Sequence, residues 1–256
     1  MNEPKKHHYL PQFYLNSFQY SSSSKKEQIV VYNKTEQASY FISAIDSTGC
    51  ESDYHTIDYE GLKKDRYTVE QALSRIETKQ ASLLKEILES KSIENINKSE
   101  LVSFISIMRN RNPSMKDFIE KSSSSVVEST AKLMNRNGQL PEPPEEIKKL
   151  IKEGKPWLKV NIANWYLLGW MFQLATNPDI LSIFYNMQFS LLLAPVTAFF
   201  ITSDSPVAFY VPQYDKTTRP YGAGLAHSDM EVTLPLSPSV YLQTFWDTSA
   251  LFKFAT

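Results

Sequence analysis

Hydrophobic residues recur at helical spacing through the middle of the chain, and the clearest helix is predicted over residues 69–90. The apolar positions of this stretch repeat every three or four residues and are Val69, Leu73, Ile76, Leu83, Leu84, Ile87 and Leu88. Such a stripe covers one face of a helix, and its burial against other elements stabilises the helix. We therefore expect this face to be buried.

Further helices are predicted along the same central part of the chain. The second should begin with Asn97 or Ser99 as its N-cap. It should stop or kink near Pro113, because proline lacks the backbone N–H and clashes with the preceding turn. Residues 162–175 are apolar nearly all round, which predicts a buried central helix. The segment 69–187 is thus expected to be mainly helical.

Both ends of the chain contain the short β-branched and aromatic runs that are typical of strands. Residues 28–32 and 39–42 predict a β-hairpin. Proline-broken runs near the C-terminus predict five more short strands, at 189–193, 198–202, 207–211, 231–234 and 240–245. The simplest packing is an α+β fold, in which the N- and C-terminal strands share a mostly antiparallel sheet covered by the central helices. We expect one such domain over residues 1–256.

The composition excludes several classes of function. Lys and Arg total 27 against 28 Asp and Glu, so the net charge of −1 provides no global basic field for nucleic acid. The only close glycine pair, Gly222 and Gly224, does not form a phosphate-binding loop. Cys50 is the sole cysteine, which excludes internal disulfides and thiolate metal clusters. No nucleophile elbow or His-Glu-x-x-His motif is present.

The location of the protein is also predicted from the sequence. A single cysteine fits a reducing compartment. The first residues lead into histidines rather than into an apolar signal sequence. The longest apolar run, residues 191–201, is about half the length that a membrane-spanning helix needs. We expect a cytoplasmic protein that does not associate with a membrane.

Two charged residues fall on helix faces that should be buried. Glu77 projects between Leu84 and Leu88, where a carboxylate needs a partner or a raised pKa. Arg111 lies beside Phe104 in projection, and a guanidinium near apolar surface needs a carboxylate or phosphate partner. These positions fit a boundary glutamate, a structural salt bridge between Glu77 and Arg111, or an arginine that clamps a phosphate.

Asp204 lies in a short polar turn directly after the predicted strand 198–202. A carboxylate at a strand end is suited to holding a divalent cation or acting as a general base, because the strand fixes its position while the loop leaves its oxygens open. Asp-Ser-Pro is equally a common turn sequence, in which the aspartate accepts local backbone N–H bonds. Both interpretations remain open from the sequence.

Two of the four histidines, His7 and His8, are adjacent near the N-terminus. Their side chains should diverge by about 180° in a strand or about 100° in a helix, so they cannot easily bind one ion together. One should point inward, either as a hydrogen-bonded packing residue or as a neutral ligand or base oriented by Asp204 or Glu77. The remaining histidines lie in loop-like sequence without metal-ligand spacing and receive no role: His55 and His227.

Five motifs occur together in one order along the chain. They are His7-His8-Tyr9-Leu10-Pro11-Gln12-Phe13-Tyr14-Leu15, the helix with Glu70 and Glu77, Arg111-Asn112-Pro113, Ile201-Thr202-Ser203-Asp204-Ser205-Pro206-Val207, and Pro235-Leu236-Ser237-Pro238. With them the chain resembles the domain-of-unknown-function family numbered 4238 over nearly its whole length. It departs at Asn112, where the family usually has Thr, and at Ser205, where Asn is frequent. The resemblance implies a soluble, microbial α+β protein and supplies no established activity.

The leading hypothesis is a metal-dependent phosphodiester hydrolase, a nuclease-like effector acting on nucleic acid or nucleotides. Asp204, Glu77 and His8 would bind Mg²⁺ or Mn²⁺, with His8 as an alternative general base and Arg111 stabilising the phosphate. The alternative is a non-enzymatic recognition module, whose aromatic-lined groove binds a peptide, nucleotide or partner protein. A third class would sense a phosphate ligand through Arg111 alone. Convergence around an open cavity favours the hydrolase, whereas a paired and sealed network favours the module.

Overall fold

Helices form the middle of the chain and strands its two ends in the computed structural model, which describes residues 5–20, 27–34, 39–59, 61–212 and 223–247. The helices are α1 (Gln12–Asn16), α2 (Thr68–Ser90), α3 (Lys98–Asn110), α4 (Pro113–Arg136), α5 (Glu145–Lys152), α6 (Asn164–Ala175) and α7 (Pro178–Asn186). The strands are β1 (Lys6–His8), β2 (Gln28–Asn33), β3 (Ser39–Ala44), β4 (Cys50–Ser52), β5 (Gln188–Leu193), β6 (Ala208–Tyr210), β7 (Glu231–Ser237) and β8 (Val240–Phe245). The predicted α+β class is confirmed.

The boundary between α3 and α4 follows from capping. Asn97 is the N-cap of α3, and its side chain accepts hydrogen bonds from the backbone of Ser99 and Glu100. The helix ends before Pro113, which opens α4 as its first residue with Asn112 as the N-cap. The break expected at this proline therefore separates two helices and leaves Arg111 between them.

The described strands form three antiparallel sheets. β1 pairs with β4, β2 pairs with β3, and the C-terminal sheet has the order β5-β8-β7-β6. Antiparallel pairing is thus confirmed, but the sheet expected to join both ends is divided among the described strands. Helix α1 is hydrogen-bonded to the C-terminal sheet, because the hydroxyls of Tyr14 and of the C-cap residue Ser17 donate to the carbonyls of Pro235 and Leu236 in β7.

Two further expectations are corrected. Residues 198–202 are not a strand: Phe199 and Ile201 are each 74% exposed, and a turn at Pro195 precedes them. Helix α6 is not buried all round, because Trp165 and Trp170 are each 39% exposed. Its buried face consists of Leu167, Leu168, Met171 and Ala175. In both stretches the apolar composition predicted more burial than the structure has, because large apolar side chains also occur on protein surfaces.

The core consists of two clusters of buried apolar residues. The larger one joins α1, α2 and α3 to the C-terminal sheet through residues such as Tyr14, Phe104 and Leu236. The smaller one joins α2, α4 and α6 around Tyr54. Tyr9 packs against both clusters. The N-terminal segment therefore lies between the two parts of the core.

The predicted burial of residues 7–15 is confirmed, since Gln12 is the only exposed residue of that segment. Each large apolar side chain buried there contributes about 1.5–3 kcal/mol. No helix within the described ranges is long and apolar enough to cross a membrane.

Candidate functional site

The pairing of β1 with β4 decides which histidine points inward. His7 lies opposite Glu51 and His8 lies opposite Cys50. Because neighbouring side chains alternate between the two faces of a strand, one histidine faces the core and the other does not. His7 is completely buried, whereas His8 is half-buried.

A tight turn after β4 brings His55 against His7. Asp53 in this turn has φ of 57°, and its carboxylate accepts a hydrogen bond from Arg66 at 2.5 Å, which lowers its pKa to about 2. The backbone N–H of His55 donates to Nδ1 of His7 at 2.9 Å. The two imidazole rings stack with centroids 5.7 Å apart. Since Nδ1 of His7 accepts, a neutral His7 carries its proton on Nε2.

His55 is in turn oriented by Glu70 from the first turn of α2. Nδ1 of His55 lies 2.6 Å from Oε1 of Glu70. Burial lowers the pKa of His55 to about 4, although the hydrogen bond to Glu70 acts in the opposite direction. Burial also tends to raise the pKa of Glu70, but the hydrogen bond from His55 and nearby positive charge hold it below its usual value. At neutral pH a neutral His55 therefore donates to an ionised Glu70.

The neutral tautomer of His55 leaves a lone pair on Nε2. This atom is buried and has no hydrogen-bond partner in the described parts of the chain. His7, His55 and Glu70 each offer one ligand atom, and the three atoms lie within 4.8 Å of one another. Two imidazoles and one carboxylate form a donor set for a divalent transition metal.

Arg111 links three elements beside this cluster. Its guanidinium is 6% exposed, and Nη1 donates to Oε1 of Glu77 at 2.5 Å. Nη2 donates to the backbone carbonyl of His8, also at 2.5 Å. The salt bridge that the helix faces allowed between Glu77 and Arg111 is therefore present. It fastens the end of α3 to α2 and to β1.

His8 lies beside this salt bridge and is half-buried. Partial burial lowers its pKa, and the charge of Arg111 acts in the same direction, while Glu70, Glu77 and a hydrogen bond to the Asp46 backbone oppose them. Nε2 of His8 lies 3.3 Å from the side-chain nitrogen of Gln12. His8 is therefore mainly neutral at pH 7 and retains access to water.

Asp204 occupies an exposed turn between β5 and β6. It forms no ion pair with a described residue, but its charge raises the pKa of Tyr9, after the larger effect of burial. The loop is attached to the N-terminal segment through Tyr14, whose hydroxyl lies 2.7 Å from both Oγ1 of Thr202 and the carbonyl of Pro235. The first, fourth and fifth sequence motifs therefore meet around Tyr14.

The sequence prediction located part of this arrangement. His8, Glu77 and Arg111 lie together, whereas Asp204 occupies an exposed turn and acts on this part of the molecule through its charge near Tyr9. His55 was missed because its partner His7 is 48 residues away and no local spacing connects them. A usable signal existed for Glu70, since it precedes Glu77 by seven residues and so shares its helix face.

Comparison with known proteins agrees with the convergence of these motifs. The family model described as "Protein of unknown function (DUF4238)" matches residues 6–253. No curated protein and no solved structure matches the chain. Because the match covers nearly the whole sequence, the chain belongs to the DUF4238 family.

Proposed function

We propose that the protein is a metal-dependent phosphodiester hydrolase whose metal ion is bound by His7, His55 and Glu70. The observation that carries this proposal is the cluster itself, in which one ligand atom from each of two buried histidines and one glutamate lies within 4.8 Å of the others. An ion bound there would replace the proton between Nδ1 of His55 and Oε1 of Glu70, because Glu70 cannot reach an ion on Nε2 while it accepts from Nδ1. Ligation by His7 through Nδ1 would replace its present hydrogen bond from the His55 backbone, and ligation through Nε2 would move the ring proton to Nδ1 and break that bond as well.

The donor set narrows the choice of ion. Imidazole ligands favour Zn²⁺, Fe²⁺, Ni²⁺ and Cu²⁺ and bind Mn²⁺ more weakly, whereas Mg²⁺ prefers oxygen ligands and retains its waters. Of the two ions expected from the sequence, Mn²⁺ therefore suits this cluster better than Mg²⁺. In such a site the ion would polarise a phosphoryl oxygen and lower the pKa of a bound water.

Three residues around the proposed metal site would have further roles in hydrolysis. His8 is neutral and half-buried, so it is suited to accept the proton of an attacking water. Arg111 already donates hydrogen bonds to Glu77 and to the His8 carbonyl, so we assign it the role of positioning His8. Asp204 faces solvent, where its carboxylate would bind a hydrated cation that arrives with the substrate.

Two other cations support an anionic substrate. Lys116 lies over the ring of Tyr54 at 4.2 Å, and the guanidinium of Arg109 lies over Phe209 at 4.8 Å. Neither forms an ion pair with a carboxylate in the described ranges. Burial lowers the pKa of both groups, which indicates that their positive charge is incompletely solvated. An approaching phosphodiester would compensate these charges.

A non-enzymatic recognition module is the second candidate, and a specific observation favours it. The exposed fractions of His7 and His55 are 0% and 1%, and Arg111 forms a salt bridge with Glu77. A network that is paired and sealed in this way also serves to hold β1, α2 and α3 in place. In that case the ligand would bind elsewhere on the surface, and no metal would be required.

A cleavage assay with matched variants distinguishes the two candidates. The wild type would be incubated with single- and double-stranded DNA and RNA in EDTA, Mg²⁺, Mn²⁺ or Zn²⁺. Glu70→Gln removes the charge of one proposed ligand, and Glu86→Gln is the control because it is exposed on the same helix. The hydrolase proposal predicts Mn²⁺-dependent cleavage that is lost in Glu70→Gln and retained in Glu86→Gln. A wild type that cleaves no substrate with any of these ions would refute it.

A further inference from the structure

A groove between α2 and α3 forms a second candidate site, separate from the histidine cluster. Its cavity measures about 400 Å³, within the range of roughly 300–1,000 Å³ that is usual for small-ligand pockets. The residues that matter for its chemistry are Arg75, Lys79, Gln80, Leu83, Glu100 and Ser103. None of the residues proposed as metal ligands lines it.

Gln80 is the unusual residue of this groove. Its side chain is 4% exposed, and neither Oε1 nor Nε2 has a hydrogen-bond partner among the described atoms. It lies on the buried face of α2, one turn before Leu83 and Leu84. Buried amides are almost always hydrogen-bonded, so a glutamine with both groups unpaired needs an explanation. A ligand that presents a donor next to an acceptor would satisfy both groups at once.

The mouth of the groove carries positive charge. Arg75 and Lys79 are exposed, are four residues apart and therefore lie on the same face of α2. Neither forms an ion pair with a described carboxylate, and their mutual repulsion is uncompensated within the helix. Glu100, across the groove on α3, adds one carboxylate. The groove thus combines two cations, one carboxylate that can accept a hydrogen bond from a hydroxyl group, and a buried amide.

We infer that this groove binds a nucleoside monophosphate. The amide of Gln80, whose two polar atoms are closed off from solvent in the ligand-free protein, would turn into the groove and pair with the donor–acceptor edge of the base, in the same bidentate manner in which glutamine recognises bases. Leu83 and Ile76 would cover the base, and Glu100 would accept a hydrogen bond from the ribose hydroxyls. Arg75 and Lys79 would bind the phosphate, which explains why the two cations have no carboxylate partner in the described chain. This inference does not depend on hydrolase activity.

Isothermal titration with AMP, GMP, CMP, UMP and inorganic phosphate tests the assignment. The wild type is expected to bind at least one of the monophosphates more tightly than inorganic phosphate. Gln80→Leu retains the side-chain size but removes the amide. It should weaken that binding at least tenfold, while its melting temperature equals or exceeds that of the wild type, because an unsatisfied buried group is removed. The double variant Arg75→Gln/Lys79→Gln should lose the monophosphate but bind the corresponding nucleoside unchanged.

Two controls separate this site from the proposed metal centre. Lys85→Gln removes an exposed cation of α2 that does not line the groove, and Glu70→Gln removes a proposed metal ligand. Both should bind the nucleotide as the wild type does. The inference is overturned if no monophosphate binds at millimolar concentration or if Gln80→Leu binds with wild-type affinity. Equal affinity for inorganic phosphate and the monophosphates would overturn it as well, because the base would then contribute nothing.

Discussion

Replacement of Arg111 by methionine should destabilise the protein strongly, because this side chain joins three elements. Its guanidinium is buried and donates to Glu77 in α2 and to the carbonyl of His8 in β1. Methionine fills a similar volume, so the change isolates the polar contacts from loss of packing. After the substitution the carboxylate of Glu77 and the His8 carbonyl both lack their donor.

The size of the effect follows from burial. Removal of one partner of a buried ion pair costs about 3–5 kcal/mol. Glu77 retains 27% exposure and can recover part of its hydration, so we expect the lower end of this range, about 3 kcal/mol. For a chain of this length, each kcal/mol lowers the melting temperature by about 2–4 °C. The expected shift is therefore roughly 6–12 °C.

Urea unfolding followed by circular dichroism measures this loss directly. Arg136→Met is the matched control, because Arg136 is exposed at the end of α4, and its replacement should change stability by less than about 0.5 kcal/mol. In Arg111→Met, the further change Glu77→Leu should restore part of the stability, since it removes the unpaired charge. If Arg111→Met costs no more than the control, the salt bridge does not hold α2, α3 and β1 together.

Three further predictions concern the residues around this junction. Tyr14→Phe should cost about 1–3 kcal/mol in urea unfolding, because the Pro235 carbonyl loses its donor, while Tyr32→Phe on the exposed hairpin should be neutral. In EDTA the free energy of unfolding of the wild type should have its full value above pH 6.5. It should fall by up to about 3 kcal/mol towards pH 4, because the pKa of His55 in the folded protein is below its value in the unfolded chain. His55→Gln should lack that slope, and an unchanged slope would assign the effect to other groups. Asp204→Asn should melt like the wild type without metal and lose Mn²⁺-dependent cleavage, whereas unchanged cleavage would remove Asp204 from the site.

Helix positions were predictable because they depend on local spacing and capping. The 69–90 stripe, the Asn97 cap and the break at Pro113 correspond closely to α2, α3 and α4. Strand pairing depends on contacts between distant residues, and the sequence does not indicate which partner is chosen. Among the described strands the expected joint sheet is divided into separate sheets, and α1 is bonded to β7 by the hydroxyl of Tyr14.

The candidate site was predictable where a charge interrupts a regular pattern. Glu77 and Arg111 stand on apolar helix faces, and this conflict correctly indicated that they need partners. His55 lies in an irregular turn, where no periodic pattern makes a histidine unusual. Its role depends on β1 pairing with β4 and on the turn at Asp53, and both are properties of the folded chain.

The measurement that tests the central claim most directly is isothermal titration of the metal-free protein with Mn²⁺. The His7–His55–Glu70 cluster predicts one ion per chain for the wild type and for Glu86→Gln. It predicts no binding at the same concentrations for Glu70→Gln, whose neutral amide is a far weaker ligand. A wild type that binds no ion, or a Glu70→Gln variant with wild-type stoichiometry and affinity, would contradict the assignment of a metal centre to this cluster.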